Sequence, residues 1–101
     1  MGDNIICTRS YKDGGSNISL SITTPVENDG HALSYVIIHK DGIKTNSYKV
    51  TGIDPMHALM LAVIDCARHI YYANEDSIEG LTFLGDKDLG LPDKILNSIA
   101  D

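Results

Sequence analysis

Between Ser16 and Thr24 the chain alternates without a break. Ile18, Leu20 and Ile22 fall on one parity, and Asn17, Ser19, Ser21 and Thr23 on the other. That period of two is the mark of a strand with one wet face. The same reading extends over the first half. Asn4 to Tyr11 predicts a strand, and Lys12-Asp13-Gly14-Gly15 a tight turn that leads into the alternating segment. Pro25 to Gly30 reads as a loop. His31 to Lys40 is apolar on both parities, with Leu33, Tyr35 and Ile37 set against Ala32, Val36 and Ile38, as suits a central strand. Asp41-Gly42 signals a second hairpin, and Ile43 to Thr51 follows as a polar strand with Tyr48 and Val50 as its core contacts. Two hairpins joined into an antiparallel meander are therefore expected.

At Asp54 the period changes. Asp54 suits an N-cap and Pro55 the first helical position, where its missing N–H costs nothing. A helix is predicted to run to about Ala73. Met56, Leu59, Met60, Val63, Cys66, Ala67 and Ile70 recur at helical spacing, and Ala58, Leu61, Ala62 and Ile64 widen the stripe. His57, Asp65, Arg68 and His69 form only a narrow polar side. So apolar a helix demands cover on nearly every side, and the strands are expected to wrap or pack against it. Tyr71-Tyr72 ends the helix in this reading, Asn74 to Ser77 form the exit loop, and Ile78 to Leu84 add a fifth strand. Gly85 to Pro92 is rich in turn residues, and Asp93 to Ala100 reads as a short closing helix through Ile95, Leu96 and Ile99. The expected fold class is α+β: a four- to five-stranded antiparallel meander on one long helix, in a single domain spanning 1–101.

Composition narrows the function. With 43% hydrophobic and 22% charged residues, the 101-residue chain is ordinary for a globular domain with one core. No apolar run is long enough for a bilayer, and Met1-Gly2-Asp3-Asn4-Ile5 lacks the basic and apolar parts of a secretion signal, so a cytoplasmic location is expected. Cys7 and Cys66 are then expected as small buried hydrophobes rather than a disulfide. The net charge of −6 is unevenly placed: residues 1–53 balance five acids against five bases, whereas residues 54–101 carry nine acids and three bases. That argues against a nucleic-acid partner and for either a plain solvated face, the commoner case, or a basic protein partner reached by electrostatic steering.

Catalytic chemistry is hard to find. No His-x-x-x-His or Cys-x-x-Cys spacing occurs, so no metal, cofactor or catalytic set is expected. His31 and His39 stand too far apart along a strand to act together, and Cys66 with His69 makes at most half a ligand set. The acids Glu75, Asp76, Glu79, Asp86 and Asp88 bracket the short fifth strand. Solvation and protection of a sheet edge explain such acids as readily as acid–base work does.

The order of parts carries a resemblance. A meander leads into Val50-Thr51-Gly52-Ile53-Asp54-Pro55 and Met56-His57-Ala58-Leu59-Met60-Leu61-Ala62, and Asp88-Leu89-Gly90-Leu91-Pro92 lies near the end. Over about half of its length the chain resembles small bacterial proteins with this helix start and closing element. Several of those are similar to immunity proteins of polymorphic toxin systems, including those of contact-dependent growth inhibition. The resemblance implies a non-enzymatic protein that binds a cognate toxin domain, often a nuclease, and blocks it. The candidate contacts are Tyr71, Tyr72, Glu75, Asp76, Glu79, Asp86 and Asp88, with the tyrosines better suited to the core than to an interface. A structural or accessory interaction domain without a toxin partner is the alternative. Oligomeric state is left open.

Overall fold

The computed structural model describes residues 4–85, 87, 89 and 90. Strands β1 (Ile5–Asp13), β2 (Ser16–Thr23), β3 (Val26–Asn28), β4 (His31–Lys40) and β5 (Ile43–Gly52) precede helix α1 (Pro55–Asp76), and a short β6 (Leu81–Thr82) follows it. All six strands join one antiparallel sheet. The four long strands pair in chain order, β1 with β2, β2 with β4 and β4 with β5, as a meander. The α+β architecture agrees with the sequence pattern. The count exceeds the expected four or five because β3 lies inside the predicted Pro25–Gly30 loop. The fifth strand predicted over Ile78–Leu84 contracts to Leu81–Thr82, and the closing helix predicted over Asp93–Ala100 falls outside the described residues.

β3 continues the line of β2 along the same edge of β4, but with the register moved by one residue: Ile22 faces Val36, whereas Val26 faces Leu33. Pro25 lies in the break, where its missing N–H takes nothing from the ladder. Side chains close the gap. Ser34 Oγ donates to the Thr23 carbonyl at 2.7 Å, and the Tyr35 amide donates to Thr23 Oγ1 at 2.8 Å. Ser34 and Thr23 are buried, as is Ser21, whose Oγ shares a hydrogen bond with Thr8 Oγ1, so the expected wet parity of β2 is dry at its C-terminal end.

A helix is about 10 Å across, while four long strands span nearly 20 Å. One helix therefore covers about half of one sheet face. α1 lies chiefly on β4 and β5, with lighter contact to β2. It packs through small residues: Ala58, Ala62, Ala67 and Ile70 are its buried positions. Ala62 meets Ile22 and Val36, with Val50, Leu59 and Cys66 at the margin. Gly52 permits this close approach, because a Cβ built there would stand 2.3 Å from the Ala58 nitrogen and 2.7 Å from its Cα. The expectation that strands cover the helix on nearly all sides is therefore corrected. Met56, Met60 and Val63 are 71%, 58% and 42% exposed. The apolar stripe is wider than the single layer of sheet can bury.

The other half of that sheet face is roofed by the segment after the helix. Tyr11, Leu20, Ile70 and Leu81 form a second buried cluster, joined by Phe83 and Leu89. The outer edge of β5 has no strand partner among the described residues.

Candidate functional site

The helix begins as the sequence predicts. Asp54 takes an extended conformation and its carboxylate accepts from the His57 amide at 2.7 Å. His57 Nδ1 in turn accepts from the Ile53 amide at 3.0 Å. The pair is a variant of the capping box, with histidine where Glu or Gln usually stands and its ring accepting from the residue before the cap rather than from the cap itself, and it gives His57 a structural role. His69 likewise has a local explanation: it bonds Asp65 at 3.1 Å and stacks on Tyr48, ring centroids 4.4 Å apart.

The helix ends later than predicted, at Asp76 with Ser77 as its C-cap. Glu75 and Asp76 thus stand in the last turn rather than in a loop, and that turn holds no basic residue. Carboxylates there meet the negative end of the helix dipole, which disfavours them. Beyond them the chain is firmly tied. Ser77 Oγ donates to Asp13 at 2.6 Å, the Gly80 amide donates to Ser77 Oγ at 3.0 Å, and the Leu81 amide donates to Asn74 Oδ1 at 2.8 Å. Lys87 Nζ reaches the Glu79 carbonyl.

These bonds bring the helix exit against the tip of the β1–β2 hairpin. A hollow of about 430 Å³ lies between them, lined by Asp13, Gly14, Gly15, Asp76, Ser77, Ile78 and Glu79. Of the predicted contacts, Asp76 and Glu79 line it. Glu75 and Tyr72 are exposed on the adjoining turn. Tyr71 is half-buried and meets the Tyr72 ring edge-on at 5.3 Å. Asp86 and Asp88 lie outside the described residues.

Two members of the site were missed. Asp13 comes from the hairpin, and only tertiary folding places it beside residues more than sixty positions later. Ile78, which the sequence pattern places in a strand, has a fully exposed side chain. A lone β-branched residue between Ser77 and Glu79 in an acidic stretch was the available signal.

A second concavity opens where α1 leaves β1 and β2 uncovered. It holds about 320 Å³, is lined mainly by apolar side chains, and has Cys7 and Cys66 among its walls. Cys66 is half-buried, as expected, but Cys7 is exposed, which corrects the reading of both thiols as core residues. Burial, reinforced by the Asp65 charge, pushes the Cys66 thiol up to about 12. Tyr11 is also raised by burial, against the opposing pull of Arg9. Among the described residues no group of three or more His, Cys, Asp or Glu could hold a metal ion. No helix among them is long and apolar enough to cross a membrane.

Compared with known proteins, residues 7–93 match a family model described as a domain of unknown function, DUF6968. No curated protein and no solved structure matches the chain.

Proposed function

We propose, on the premise that this chain belongs to the DUF6968 family, that it is a non-catalytic binding protein of the immunity type. It would neutralise a basic toxin domain, a nuclease by preference, in the cytoplasm by gripping it with the acidic end of α1. The observation that carries the reading is the exposed Ile78 side chain at a hollow lined by Asp13, Asp76 and Glu79. An apolar anchor ringed by charge is the anatomy of a protein-binding hot spot, with carboxylates speeding encounter and the buried anchor slowing release. The loop is held by four side-chain bonds before any partner arrives, so little ordering entropy opposes binding. Carboxylates so placed can also occupy the track that a nuclease keeps for phosphates.

The test is co-expression with basic nuclease toxin domains, beginning with any encoded beside this gene, followed by binding measured on the purified pair. Growth should be rescued and a stable complex recovered. Ile78→Ala, and separately Glu75→Gln, Asp76→Asn and Glu79→Gln together, should each weaken binding at least tenfold, the triple change chiefly at low salt. Failure of the pair to associate, or turnover of a small substrate traced to a histidine or carboxylate of this chain, would overturn the proposal.

A further inference from the structure

We propose that the cleft between α1 and β1 is a binding site for a small apolar carboxylate, a medium-chain fatty acid in its chemistry. The site is separate from the acidic hollow and does not depend on the partner reading. It follows from the packing of α1: the helix lies on β4 and β5, the segment after it roofs one end of β1 and β2, and a cleft is left between that roof and the helix.

Its walls are Leu20 and Ile22 from the sheet and Val63, Ala67 and Ile70 from the helix, with Arg9 the charged residue among them. No carboxylate lines it among the described residues, which is notable in a chain of net charge −6. Arg9 is held in place on two sides. Its guanidinium lies 4.5 Å from the Phe83 ring centroid, and its Nη1 donates to the Gly90 carbonyl at 3.0 Å. Gly90 takes φ of +71°, a conformation that favours glycine, where the chain meets the guanidinium. Among the described residues Arg9 makes no ion pair. A guanidinium has five N–H donors, and the carbonyl contacts draw on one nitrogen only. Beside the apolar hollow its charge meets the Tyr11 hydroxyl but no carboxylate among the described residues, and a carboxylate is the group its donor fork recognises.

The volume sets the tail. At about 30 Å³ for a water-sized group, 320 Å³ admits of the order of ten heavy atoms. That is the size of octanoate and sits at the small end of ligand pockets.

Octanoate and octanol are therefore the probes, titrated into the full chain and followed by the methyl NMR signals. Octanoate should give saturating shifts at Ile22, Val63, Ala67 and Ile70 with a Kd below about 1 mM. Octanol should bind about tenfold more weakly, the lower end of what a hydrogen bond to a charged group contributes. Arg9→Gln should remove that preference. Val63→Trp, at an exposed rim position that tolerates bulk, should block both probes while leaving the acidic end and its partner binding unchanged. Equal affinity for the two probes, shifts that fail to saturate, or undiminished binding in Val63→Trp would overturn the proposal. The octanoate–octanol comparison uses the unaltered protein, so no folding defect can disguise its outcome.

Discussion

Gly52→Ala is the sharpest test of how this fold is held together. Gly52 is the last residue of β5, two residues before the helix cap, and it is buried. One added methyl would stand 2.3 Å from the Ala58 nitrogen, 2.7 Å from its Cα and 2.9 Å from the His57 carbonyl carbon. All three are backbone atoms of the first turn of α1, so no side chain can rotate away. Either β5 or the helix N-terminus must move, and the helix is fixed there by the Asp54–His57 cap and by Ala62 against Ile22 and Val36. Overpacking costs roughly 1–3 kcal/mol when side chains yield, and a backbone clash belongs at or above about 3 kcal/mol. Against a typical domain stability of about 5–15 kcal/mol that is a large fraction, and it should lower Tm by more than about 10 °C for a chain this size. Urea and thermal unfolding followed by circular dichroism measure it. Gly15→Ala, where nothing lies within 4 Å, is the matched control and should be close to neutral. Adding Ala58→Gly to Gly52→Ala should not rescue, because the clash involves the Ala58 backbone and not its methyl. A loss below about 1 kcal/mol for Gly52→Ala, or rescue by the double change, would refute the close-approach argument.

Asp54→Ala should cost about 1 kcal/mol by removing the cap, and His57→Ala less; a double-mutant cycle in urea unfolding should show the two coupled. Glu75→Gln with Asp76→Asn should raise stability by a few tenths of a kcal/mol each, because the helix dipole disfavours both charges, while the triple change that includes Glu79→Gln weakens partner binding. Opposite signs in the two assays are the expected result. Cys66 has a folded-state pKa near 12 against 9.0 for an ordinary thiol. The unfolded chain therefore loses this proton first as pH rises. The stability is fully present below about pH 9 and falls between about 9 and 12. Unfolding free energy measured from pH 8 to 10.5 should decline less steeply in Cys66→Ala than in the unaltered protein, with Tyr11 adding to the decline in both.

The meander was legible because its signals are local. Alternation in β2, apolar character on both parities in β4, and the Asp41-Gly42 turn, whose two residues take φ of 51° and 83°, each specify backbone within a few residues. The cap at Asp54-Pro55 was legible for the same reason. The width of the apolar stripe misled. Met56, Met60 and Val63 share the hydrophobicity of core positions, and composition alone does not tell a covered face from an open one. What decides is the number of layers, which is a tertiary property. β3 was hidden behind Pro25, and Ser21 and Thr23 are buried and bonded to residues more than ten positions away. The acids at the helix exit were visible in the chain. Their meeting with Asp13 and the exposed tip of Ile78 were not, since Asp13 and Ser77 are 64 residues apart.

The ten-residue margin of β5 has a consequence for how this protein keeps company with itself. A strand of that length, with no partner on its outer side among the described residues, offers amides and carbonyls at ladder spacing to any similar ribbon nearby. Lys44 and Lys49 stand along it, and an ammonium group is hard to desolvate and repels its counterpart on a neighbour. Side-to-side zipping of crowded copies along this margin is thereby disfavoured.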